Sequence, residues 1–103
     1  MRAMWHRVSA VDELPVSGGK EFVIDGRIVA IFRSGTEIFA MDGICPHAGG
    51  PLAEGTMQNG IVTCPWHGWQ FQISTGQHCL NSRIRQSCFP VKVEDAAVFV
   101  ELP

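Results

Sequence analysis

Two short segments, Cys45-Pro46-His47 and Cys64-Pro65-Trp66-His67, each place one thiol beside one imidazole, with sixteen residues between His47 and Cys64. To bring both pairs to one point, the chain needs rigid strands beneath two loops, since only a firm scaffold holds distant ligands in register. Buried cysteine serves elsewhere as a small apolar side chain, and an isolated histidine is usually packed or solvated. Those readings explain single residues. They do not explain two such pairs in Gly/Pro-rich loops of a chain with only four Cys and four His, so a metal site is the stronger reading. Zinc takes a Cys2His2 set as well, but its modules usually keep Cys with Cys and His with His. Here each loop carries one of each.

That mixed arrangement suits a binuclear centre in which two His replace two Cys on one iron. The spacing C-x-H-x16-C-x-x-H, followed by Gly68, resembles the Rieske ferredoxin family, most strongly from Cys45 to Trp69. The resemblance implies an all-β Rieske fold, antiparallel sheets carrying a small cluster-binding subdomain, here about residues 42–71 within a single domain spanning 1–103. It implies one [2Fe-2S] cluster as cofactor, with Cys45 and Cys64 holding the buried iron and His47 and His67 the outer one. The implied function is one-electron transfer as a free ferredoxin, from a flavin-containing reductase to a terminal oxygenase. The chain also resembles the Rieske-like small subunit of NAD(P)H nitrite reductase, which would partner a large sirohaem-bearing subunit. A structural zinc domain is the alternative of another class.

Formal charge shows what the His pair contributes. Two ferric ions, two sulfides and two thiolates sum to zero with neutral imidazoles, whereas two further thiolates would leave the site at −2. Adding an electron to the neutral site costs less electrostatic work, so its potential is higher. Within the family, high-potential members carry an extra Cys in each ligand loop and a Ser hydroxyl bonded to the cluster. Gly50, Trp66 and Trp69 stand at those places here, which implies a potential toward the low end of the Rieske range. Gly49-Gly50 can expose backbone N–H donors to sulfur. Trp66 and Trp69 are candidates to shield the cluster, with core packing an equal reading for Trp69, which alternates with Phe71. The family's third loop often contains a proline. Its counterpart, Asn81 to Ser87, has none and carries Arg83 and Arg85, which read as a docking point for an acidic partner or as solvated charge.

At 103 residues the chain has room for one core. A net charge of −2 leaves no basic footprint for nucleic acid. No apolar run approaches a membrane span, and Met1 to Arg7 does not read as a signal peptide. The expected protein is cytoplasmic, without a membrane, and monomeric when free. Cys79 and Cys88 read as free, partly buried thiols, and His6 and His78 as solvated side chains outside the site.

Two-residue periodicity punctuated by turns predicts strands throughout. Phe22 and Ile24 alternate with Glu21, Val23 and Asp25. Asp25-Gly26 turns the chain into Arg27–Arg33, with Ile28, Ala30 and Phe32 on one face, and Ser34-Gly35 turns it into Thr36–Met41. A second hairpin, Thr56–Gln58 and Ile61–Thr63 about Asn59-Gly60, delivers Cys64 at a strand end. Trp69, Phe71 and Ile73 alternate on the outgoing strand. Phe89, Val91 and Val93 do so later, and Val98, Val100 and Leu102 form the last strand. Asp95-Ala96 replaces the usual Asp-Gly before it.

Overall fold

Three two-residue hairpin turns place both of their residues in the left-handed region: Asp25-Gly26 at φ 52° and 79°, Asn59-Gly60 at 52° and 75°, Asp95-Ala96 at 50° and 60°. Such turns match the right-handed twist of the flanking strands, which explains the preference for Asn/Asp followed by Gly. Ala96 takes the same geometry with a Cβ, at a cost glycine avoids.

The computed structural model describes residues 4–46, 49–66 and 68–103. Its strands are β1 (Met4–Ala10), β2 (Ser17–Ile24), β3 (Arg27–Ser34), β4 (Glu37–Asp42), β5 (Thr56–Gln58), β6 (Ile61–Thr63), β7 (Gln70–Gln72), β8 (Cys88–Phe89), β9 (Val91–Glu94) and β10 (Ala97–Leu102). They form three antiparallel sheets in the orders β1-β10-β9, β2-β3-β4-β8 and β5-β6-β7. Among the described residues, helix is limited to two 3₁₀ turns, Val11–Glu13 and Leu52–Glu54.

The second sheet is the middle of the structure, and β3 shows why. Val29 and Ile31 point to one core with Leu14, Ile24, Ala40, Val98, Val100 and Leu102. Ala30 and Phe32 point to the other, with Met41, Leu52, Val62, Phe71 and the two cysteines Cys45 and Cys64. The four β3 residues are fully buried, so burial on both faces replaces the one-sided strand expected from Ile28, Ala30 and Phe32. The physical reason is that successive side chains alternate faces, and here both faces are covered.

Other expectations shift as well. Strand β1 adds to the strands expected from alternation; it pairs with β10 from Met4↔Leu102 to Ala10↔Ala97, with an irregularity between Arg7 and Ser9. Pro90 separates β8 from β9, and Val93, expected in an apolar alternation, is 48% exposed.

Candidate metal centre

The segments that carry Cys45 and Cys64 are two loops of one design. In the first, the Cys45 N–H donates to the Gly50 carbonyl at 2.8 Å; in the second, the Cys64 N–H donates to the Trp69 carbonyl at 2.7 Å. Both closures span five positions, and four residues after each cysteine stands a glycine with positive φ, Gly49 at 76° and Gly68 at 74°. Among the described residues a Cβ at either glycine meets nothing within 4 Å, and the positive φ itself favours glycine at both places. Below the loops lie short antiparallel pairings, Ile44↔Pro51 under the first and Thr63↔Gln70 under the second. The first loop is further fixed by the Gly43 N–H on the Ile28 carbonyl and the Leu52 N–H on the Gly43 carbonyl, both 3.0 Å. It thereby hangs from β3.

This design brings Cys45 and Cys64 together in one core, each 1% exposed. Burial pushes the Cys64 thiol up. The Trp66 backbone N–H aimed at its sulfur acts against this, and the neighbouring Cys45 thiol adds to the rise. Two adjacent buried thiolates would repel each other without a cation between them, and a cation reverses that balance. The chemistry of this donor pair therefore fits a metal. Gly50 adds a second indication: a Cβ there would stand 3.0 Å from the Cys64 sulfur and 2.9 Å from Trp66 Cγ. Glycine is what leaves room for the Cys64 sulfur and the Trp66 side chain at this point.

His47 and His67, the imidazole half of the expected set, lie outside the described residues, as does Ala48. Among the described residues no three candidate metal ligands converge. Cys79 and Cys88 are free, exposed thiols, a correction to the partly buried reading. They sit on the third-loop side of the structure, although partial desolvation still pushes the Cys88 thiol up.

The surroundings differ from expectation at His78. Expected in solvent, it is 8% exposed. Its ring meets Trp69 and Phe71 edge to face, with centroids 4.7 and 5.3 Å away. Nδ1 accepts the N–H groups of Leu80 at 3.0 Å and Asn81 at 3.2 Å, so Nε2 carries the proton in the neutral ring. Nε2 is buried without a hydrogen-bond partner. The aromatic wall explains its burial, and a single histidine in a loop gives no sequence signal of it. Trp69 packs against the thiol-bearing core, while Trp66 is 50% exposed, so Trp69 follows its core reading. Arg85 is exposed but anchored, its Nε donating to the Thr75 carbonyl at 3.0 Å.

The profile of the Rieske [2Fe-2S] domain matches residues 4–92. The chain belongs to the Rieske [2Fe-2S] family. Its cofactor is a Rieske [2Fe-2S] cluster. Anthranilate 1,2-dioxygenase ferredoxin subunit of Burkholderia cepacia is 33% identical over 101 residues, covering 97% of this chain and 94% of the relative. The ferredoxin of carbazole 1,9a-dioxygenase from Nocardioides aromaticivorans superposes with a TM-score of 0.87 at 26% identity, covering 94% and 96% of the two chains. A nitrite reductase small subunit from Mycobacterium tuberculosis, described as putative and NADH-dependent, superposes at 0.88 over 100% and 98%; at 22% identity this shows a shared fold alone. Among the described residues no helix is long and apolar enough to cross a membrane.

Proposed function

We propose that this Rieske protein is a ferredoxin: a one-electron carrier that receives electrons from a flavin-containing reductase and delivers them to a terminal oxygenase. The observation that carries the reading is the pair of matched, hydrogen-bond-closed loops presenting Cys45 and Cys64 side by side in a core beneath the chain's surface. Cys45 and Cys64 hold one iron and His47 and His67 the other. When bound, the cluster supplies a single reversible electron and no open coordination position for substrate.

The chain's own residues position and insulate. Phe71, Leu52 and Val62 back the thiols with apolar side chains and keep water from that side. The Trp66 N–H faces the Cys64 sulfur and stabilises negative charge there. Trp66 and Ile44 stay partly exposed beside the loops. With Gly50 and Trp69 offering no side-chain hydroxyl to the sulfurs, the potential sits low in the Rieske range.

The whole chain acts as one domain, with residues 42–71 as its cluster-binding subdomain, and works in the cytoplasm as a monomer when free. Relatives that share a third of its sequence are named ferredoxin subunits of dioxygenases, which supports a mobile carrier over a nitrite reductase subunit.

The test is reconstitution with a flavin reductase and NADH, following cytochrome c reduction. Transfer that requires this protein and saturates with its concentration supports the carrier reading. A cluster-loaded sample that reductases cannot reduce, and that purifies only with a sirohaem chain, supports the subunit reading instead.

A further inference from the structure

Gln86 is buried, 6% exposed, in a loop where a polar side chain has water within easy reach. Its Nε2 amide donates to two carbonyls, Asp42 O at 2.8 Å and Ile44 O at 2.6 Å, 44 and 42 residues away. An amide NH2 has two protons, so both are used, and only this orientation of the side chain suits two acceptors. Asp42 and Ile44 lie three and one positions before Cys45. The same stretch is gripped twice more: the Asp42 N–H donates to the Ser87 carbonyl at 2.8 Å, and the Asp42 carboxylate accepts the Ile44 N–H at 3.0 Å. Gln86 is itself fixed by its backbone N–H on the Gly76 carbonyl at 2.7 Å. At the other end of this strap, His78 packs on Trp69, the residue that closes the Cys64 loop.

We infer that Gln86 is a positioning residue for the cluster: its amide clamps the segment leading into Cys45 so that the first ligand loop keeps its place opposite the second. The inference rests on Cys45 being an iron ligand. It follows from what the two bonds fix. The carbonyls of Asp42 and Ile44 bracket Gly43, whose N–H is tied to β3, so the clamp sets the direction in which the backbone enters Cys45. Removing the donor leaves two carbonyls short of partners in a partly buried setting, which loosens that segment more than loss of one surface bond would. Rigid ligands held by a supporting shell retain metal better than ligands on a free loop.

The test uses the cluster-loaded protein. Gln86→Met keeps the side chain's length and removes both donors. It is expected to release iron to a chelator roughly tenfold faster or more, to broaden the paramagnetic spectrum of the reduced protein, and to lower the midpoint potential as backbone donors lose alignment with sulfur. Arg85→Met, which removes a bond from the same loop to Thr75 rather than to a ligand segment, should leave spectrum and release rate as in the wild type. If Gln86→Met takes up no iron, Gln86→His is read instead. Its Nε2–H sits at the same reach and keeps one donor, so partial retention with intermediate release is expected. Equal effects from the Arg85 and Gln86 changes, an unaltered Gln86→Met protein, or complete loss in the His variant each overturn the proposal. A wild-type protein with no iron–sulfur cluster would instead sink the functional reading itself.

Discussion

Replacing Gly50 with alanine separates a steric requirement at the ligand sulfur from an ordinary turn requirement. The added Cβ would lie 3.0 Å from the Cys64 sulfur, 2.9 Å from Trp66 Cγ and 3.0 Å from Trp66 Cβ. Relaxed contacts of this kind stand at about 3.5–4.0 Å, so half an ångström or more must be found. Trp66 is half exposed and can swing outward, whereas the Cys64 sulfur, 1% exposed in the core, cannot follow freely. Overpacking of this degree costs about 1–3 kcal/mol. Gly49→Ala is the matched control, since a Cβ there meets nothing among the described residues and φ at 76° sets a cost of about 1 kcal/mol. Both variants should unfold at lower denaturant concentration. Only Gly50→Ala should also shift the visible and paramagnetic spectra and lower the iron content, measured per chain after identical expression. A Gly50→Ala protein with wild-type spectra, iron content and unfolding midpoint would refute the close approach of backbone to ligand sulfur.

Ala96→Gly should raise stability by about 0.5–1 kcal/mol in urea unfolding, because Ala96 sits at φ 60° on a two-residue hairpin turn; no change would mean the turn tolerates Cβ without strain. Cys45→Ala and Cys64→Ala should each abolish the cluster and weaken the fold, since metal binding is coupled to folding, whereas Cys79→Ala and Cys88→Ala, at exposed free thiols, should keep full iron and sulfide. Loss of iron in either of the latter would misassign the thiols. In the cluster-free protein, burial raises the Cys64 thiol, so its alkylation should be slow at neutral pH and accelerate toward alkaline pH; fast modification near neutrality would contradict a buried site.

What the sequence displayed openly was its turns and its ligand pairs. Asp25-Gly26 and Asn59-Gly60 place their hairpins correctly because positive φ is a demand few residues meet, so the signal is local. The two thiols converge as the paired motifs required, and the fold class followed from the alternation between turns. What stayed hidden depends on neighbours distant in sequence. The apolar run through Val29, Ala30, Ile31 and Phe32 is the mark of a strand covered on both faces, yet a two-residue period credits only one face. Strand β1 has no alternation of its own and is defined by its pairing with β10. His78 and Gln86 look like ordinary loop residues until the fold sets an aromatic wall against one and the carbonyls of Asp42 and Ile44 against the other.

In the proposed centre two thiolates and two imidazoles share one binuclear cluster. Electron–nuclear double resonance on the dithionite-reduced protein, grown with 15N-histidine and assayed in parallel for iron and acid-labile sulfide, addresses that directly. Two irons and two sulfides per chain are expected, as the Rieske [2Fe-2S] family requires, with hyperfine couplings from two histidine nitrogens, one lost in each of His47→Cys and His67→Cys. Stoichiometric zinc without sulfide, or a reduced cluster showing no histidine coupling, would contradict it.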